Sequence, residues 1–364
     1  MPVLGNAPAA SQGAGGGAVP FIAASNHYRE KMFQDSYTMG ASTQEFVHNI
    51  TPGGFLRGVR LFAVMTGGTA ATAPTADNPW NIFQSISLEN IDGSPITYPM
   101  SGYSYYLNAK YNRPYWGDPA KRTTYVQSIN PSCELFIAPE LRDTAGVLAN
   151  TDARAQYRIR YTINTEAAIA TGSYTLHGTV TVTGFMEAWS QPDGHDLHGN
   201  STQGLPDGLG IASILRHQTL TLNNAGAANT LQLANTGNEL RSLILVVRDS
   251  LNARQDYLTD PIRVRLDSKS LEVTSPNEVI ATMFDFYDIL SNGTSSRETG
   301  VYVFPRFRRP GDLVGQYWLG TNNATYLLIE STTLGTGSNL PGTIEVITSE
   351  VIPVGNVPAD LEGV

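Results

Sequence analysis

Cysteine is nearly absent from this 364-residue chain. Cys133 stands alone, which excludes an intrachain disulfide and a thiolate metal cluster. Charge is sparse as well: Asp, Glu, Lys and Arg make up 15% of residues, against roughly a quarter in ordinary globular chains. The net charge of −9 argues against a protein that coats nucleic acid through bulk positive charge. No apolar run approaches the ~18 residues of a membrane-crossing helix. The first residues lack a basic stretch followed by an apolar one, so no secretion signal is expected. The N-x-S/T triplets at Asn49, Asn200, Asn292 and Asn323 then read as coincidental. The nucleophile elbow G-x-S-x-G and the Walker loop are missing too, which removes two common catalytic frames. Gly and Pro are plentiful, at 35 and 21, but 41% hydrophobic residues argue against a disordered chain.

Residues 1–20 are Ala, Gly, Pro and Ser with almost no charge, and four glycines fall within 13–17. Regular structure tolerates that poorly, and the segment reads as a flexible arm. Residues 25–36 (SNHYREKMFQDS) read as a short helix with Ser25 as N-cap. Beyond residue 42 the pattern changes to short strands, over 44–50, 57–65, 82–89, 134–138, 157–163 and 174–189. Residues 157–163 (YRIRYTI) alternate apolar and polar, which places one face of a strand on a core. The turn-rich segment 190–210 is the best internal boundary. Strand signals resume over 215–222, 230–233, 240–248, 262–273, 300–304, 325–330 and 343–351. Many short strands separated by turns indicate a β-sandwich or barrel. One helix is strongly marked: Ser275, Pro276 and Glu278 form a capping box, and Val279, Ile280, Met283, Phe284, Tyr287 and Leu290 recur at helical spacing. Asn292 and Gly293 should end it.

The two halves resemble each other. At an offset of 184, Gly53 falls on Gly237, Leu56 on Leu240, Arg57 on Arg241 and Leu61 on Leu245. Residues 88–112 then read strand, turn, short strand and an aromatic segment. Residues 266–292 read strand, turn, strand and the capped helix. The shared order predicts two similar β-sandwiches in tandem, each with a helix inserted between strands.

Three segments carry a family resemblance: ISLENIDGSP (86–95) followed by SGYSYYLNAK (101–110), SPNEVIATMF (275–284), and GVYVFP (300–305). In order, spacing and total length, residues 25–355 resemble the major capsid protein of tectivirus-type phages, which are tailless, icosahedral and membrane-containing. The resemblance implies an all-β fold of two eight-stranded jelly rolls with short inserted helices, and a structural function without catalysis. It also implies homotrimers of pseudo-hexagonal outline that contact one another, penton and minor capsid or membrane proteins beside them, and an internal lipid membrane on the inner face. The protein would be located in the virion, assembled in the host cytoplasm and not secreted. The expected division is an N-terminal arm with its helix over 1–40, a first jelly roll over 41–195 and a second over 196–364. The rival reading is a two-module carbohydrate-binding or glycan-processing β-sandwich protein.

Few constellations could carry chemistry. Asp193, His195, Asp196 and His198 form the most metal-like run, but no helix aims them, and a polar surface loop is the simpler reading. No catalytic residue, cofactor or metal site is expected, and no sequence-specific nucleic-acid partner. The compact basic patch Arg306, Arg308 and Arg309 is interleaved with Phe304 and Phe307. It suits a subunit contact through arginine forks, with anionic lipid and nucleic acid as alternatives. The other assembly candidates are Tyr28, Arg29, Lys31, Met32 and Phe33, the two faces of the expected N-terminal helix. By analogy with the family, that helix would lie at the base of the trimer beside lipid.

Overall fold

The computed structural model describes residues 18–112, 118–122, 124–210, 213–233, 237–287, 297–308, 317–334 and 339–351. The first half forms eight strands: β1 (His27–Thr38), β2 (Gln44–Asn49), β3 (Phe55–Thr66), β4 (Phe83–Glu89), β5 (Pro95–Met100), β6 (Ser132–Ile137), β7 (Arg158–Ile163) and β8 (Thr179–Trp189). The second half forms eight more: β9 (Ser213–Leu222), β10 (Ala228–Leu233), β11 (Glu239–Arg248), β12 (Leu258–Leu266), β13 (Lys269–Thr274), β14 (Val301–Pro305), β15 (Leu327–Thr333) and β16 (Gly342–Val351), these counts leaving aside the two-residue strands Ala73–Pro74, Leu148–Ala149, Ala170–Thr171 and Leu319–Gly320. In the first half the sheets run β1-β8-β3-β6 and β2-β7-β4-β5; in the second, β9-β16-β11-β14 and β10-β15-β12-β13. Adding eight to each label of the first order gives the second. Two facing four-stranded sheets with this crossed order are a jelly roll, so the fold is a double jelly roll.

The duplicated segments fall on equivalent elements. Leu56, Arg57 and Leu61 lie on β3, and Leu240, Arg241 and Leu245 on β11, the third strand of each sandwich. In each half the fifth strand leads into a helix: α1 (Gly102–Asn112) after β5 and α2 (Pro276–Tyr287) after β13. At α2, Ser275 and Glu278 bond reciprocally, Ser275 N–H to Oε2 at 2.7 Å and Glu278 N–H to Oγ at 3.3 Å. Val279 and Met283 are its buried anchors. Phe284, expected on the buried face, is half-buried. The expected end of α2 at Asn292 lies outside the described residues.

Burial follows the sheet layers. β7 alternates buried and half-buried residues along its whole length, as a strand with one covered face must. β11 is buried at every position but Glu239, because both of its faces are covered. All of α1 except Ala109 is buried, which marks a helix enclosed on every side. The first sheet of the second jelly roll continues the second sheet of the first: β5 and β9 lie side by side, paired in parallel at Thr97 and Leu215. With the short strand Leu319–Gly320 on β11, this makes one nine-stranded sheet across both sandwiches. One cluster of buried apolar side chains runs through the two halves.

The N-terminal expectation fails at residues 25–36. Ser25 caps nothing ahead of it; it ends the single helical turn Phe21–Ala24 and is buried. The segment after it is β1, an edge strand paired with β8 through eleven residues. Tyr28, Met32, Phe33 and Tyr37 imitate helical spacing because the register shifts between Lys31 and Phe33. That bulge leaves Met32 unpaired and moves the inward face from even to odd positions. Pairing along a whole strand outweighs a weak local helix propensity.

Candidate assembly surfaces

The junction between the jelly rolls fixes what each presents outward. α1 supplies most of it. Its Tyr105 hydroxyl donates to Thr97 Oγ1 at 2.7 Å, beside the β5–β9 seam. Tyr106 and Tyr111 each donate to the Glu298 carboxylate at 2.6 Å, and Lys110 also binds it. Glu298 belongs to the second half, so one carboxylate ties the halves together. Burial alone would raise its pKa, but the Lys110 charge and these three bonds hold it below the ordinary 4.5. A second tie centres on Asp77, which takes Arg248 and Arg254 at 2.8 Å each. Those two guanidinium groups stack over Tyr103, at 5.6 and 4.9 Å from its ring centre. Arg248 also binds Glu345. A cleft of about 720 Å³ opens beside this network, between Phe83, Met100, Tyr103 and His217.

The outer side of sheet β1-β8-β3-β6 carries a ladder of charges. Arg29 on β1 donates to Glu187 on β8 at 2.8 Å, Glu187 takes Arg60 on β3, and Arg60 binds Glu134 on β6, which also takes Arg122 at 2.6 Å. Glu187 is buried, yet Arg60 and Arg29 keep its pKa below the usual value. Beyond the ladder the face turns to threonine: Ser36 meets Thr181 and Thr38 meets Thr179, each pair at 3.3 Å.

The sequence-predicted candidates fall as follows. Tyr28, Arg29, Lys31, Met32 and Phe33 are together, but on an edge strand and not on a helix. Arg29 points outward into the ladder and Lys31 bonds Gln34 at 2.7 Å. Tyr28 is half-buried against the core. Phe33 stacks on His48 at 3.8 Å, and His48 bonds Asp35 at 2.6 Å. Arg306 spends its fork inside its own chain, on Glu272 at 2.6 Å. Arg308 is exposed, and Arg309 lies outside the described residues. Phe304 and Phe307 are buried, so neither offers a ring for base stacking. His195 and His198 sit on an exposed loop; among the described residues no group of three or more His, Cys, Asp or Glu is placed to hold a metal.

The three tryptophans among the described residues pack against their own chain. Trp80 stacks on Tyr106 at 4.6 Å, Trp189 lies under Arg57 at 4.9 Å and Trp318 under Arg241 at 5.8 Å. None of these three joins another in a flat aromatic platform for a sugar. Sequence reasoning missed the Glu298 and Asp77 ties. The one available signal was the run of tyrosines at 103–111, too many for a surface segment.

Fold and junction together define the double jelly roll, and the comparisons agree. No protein-family model and no curated protein matches the sequence. Solved structures do match it, over about nine tenths of its length. A chain from the atomic structure of Sulfolobus Turreted Icosahedral Virus aligns with a TM-score of 0.62 and 13% identity, over 92% of this chain and 95% of that one. The major capsid protein P2 of bacteriophage PM2 aligns with a TM-score of 0.54 and 8% identity, over 90% and 97%. The Faustovirus major capsid protein aligns with 0.56 and 11%, over 90% of each chain. At these identities the shared property is the fold.

Proposed function

We propose that this chain is a major capsid protein, a structural subunit that assembles into an icosahedral virus shell and catalyses nothing. The observation that carries the reading is the doubled jelly roll locked by buried ion pairs, aligned over about nine tenths of its length with major capsid proteins that are themselves covered over 97% and 90% of their chains. Two equivalent sandwiches per chain give three copies six similar lobes, so a trimer approximates a hexagonal tile. The subunit is accordingly a homotrimer, and trimers contact one another laterally. Penton and minor capsid or membrane proteins complete the shell, and an internal lipid membrane lies under it. Assembly takes place in the host cytoplasm. In place of the expected boundary at 40, the arm ends before β1 at His27, the first jelly roll runs from there to 195, and the second covers 196–364.

Electron microscopy of the purified protein at rising concentration tests this reading. Six-lobed particles of three chains, giving way to curved sheets or closed shells, are expected. Particles that remain two-lobed single chains at every concentration would contradict it.

A further inference from the structure

The linker between the jelly rolls carries a finger with a fully exposed leucine, Leu197, at its tip. Residues 193–203 fold back on themselves: His195 bridges Ser201, and Thr202 N–H donates to the Gly194 carbonyl at 3.1 Å. Asp196 accepts from His198 N–H at 2.9 Å, Asn200 N–H at 2.8 Å and Asn200 Nδ2 at 2.9 Å. Between them Leu197 is fully exposed. Single exposed leucines are common. This one stands at the tip of a loop whose freedom is already spent, so seating it costs little further ordering.

A recess lies at the same end of the molecule. Ser213, beside the linker, pairs with Val351; Val351 pairs with Glu239, and Glu239 with Gly320. The recess, of about 280 Å³, lies between the β12–β13 hairpin and residues 320–324 and is walled by Leu266, Asp267, Gly320, Asn322, Asn323 and Ala324. Nothing lies within 4 Å of where a Cβ at Gly320 would sit, so its mouth is open. The wall's own carboxylate, Asp267, is engaged by Thr325 N–H at 2.8 Å and Tyr326 N–H at 3.1 Å, and the opposite charge stands two residues further on. Residues 190–210 hold Asp193, Asp196 and Asp207 with no Lys or Arg. Lys269, exposed at the start of β13, enters none of the ion pairs among the described residues.

We propose that Leu197 of one copy seats in this recess on a second copy, with Asp193 facing that copy's Lys269. The inference rests on the self-assembly reading. Peg and recess are different patches on different jelly rolls, so the contact is head-to-tail and closes a ring where the rotation allows.

Cysteine trapping tests it cleanly, because Cys133 is buried and burial pushes its thiol far above the reactive range. The double variant Leu197→Cys with Ala324→Cys, oxidised at a concentration where wild type assembles, should give covalent species beyond the dimer on a non-reducing gel. Each single variant should give dimers at most. Leu197→Asp should keep the fold, read by circular dichroism, and raise the concentration needed for assembly about tenfold or more. A wild type that assembles while the double variant stays uncrosslinked, or a Leu197→Asp chain that assembles at the wild-type concentration, overturns the peg alone. A wild type that stays monomeric throughout overturns both the peg and the self-assembly reading.

Discussion

At Gly184 the absence of a side chain decides how an edge is built. The Phe33 ring lies across this glycine on its way to His48, and a Cβ there would run into the ring. Gly184→Ala should therefore destabilise the first jelly roll by about 1–3 kcal/mol through overpacking. Urea unfolding checks this, and adding Phe33→Leu should recover part of the loss. An unchanged midpoint would show that Phe33 is free to leave. Glu298 works by charge. Its folded pKa is depressed, so its contribution is fully present above its unfolded pKa of about 4.3 and is lost as pH falls through the lower folded value. Melting temperature from pH 7 to pH 3 should hold and then drop steeply below about pH 4. Glu298→Gln should start lower and show a shallower drop. Parallel curves for the two proteins would place the acid-sensitive group elsewhere.

Most elements are legible in the sequence because a half-buried strand writes its alternation directly, as residues 157–163 do, and because the capping box at Ser275 and Glu278 is local. β1 was illegible for a physical reason: one bulge at Met32 converted a period of two into a spacing that imitates a helix. The junction was illegible for another. Glu298 meets Tyr106 and Tyr111 across 192 and 187 residues of chain, and no local pattern announces a partner at that distance. The strand assignment reverses the expected effect of truncation. Had 25–36 been a docking helix, deleting residues 1–38 would spare the fold. Because β1 is the first strand of its sheet and covers β8 along its length, the deletion should leave an insoluble chain, or one melting many degrees lower. A soluble truncated protein with the wild-type melting temperature would return the segment to the role of an appendage.

For the whole molecule, the junction matters more than any single surface. Asp77 with Arg248, Arg254 and Glu345, and Glu298 with Tyr106, Lys110 and Tyr111, tie the two duplicated sandwiches together. On the proposed capsid reading a shell tile needs such ties, since every error in the angle between lobes would be repeated around the lattice. The resemblance carried by residues 86–95, 101–110, 275–284 and 300–305 anticipated the double jelly roll, and two of those segments fall on the equivalent helices α1 and α2 of the two halves. The most direct test of the account is the native mass of the purified full-length chain, measured by mass spectrometry at micromolar concentration and after dilution. Three times the chain mass, persisting on dilution because obligate interfaces commonly bury more than about 2,000 Å², is the predicted result; a stable single chain at micromolar concentration would contradict it.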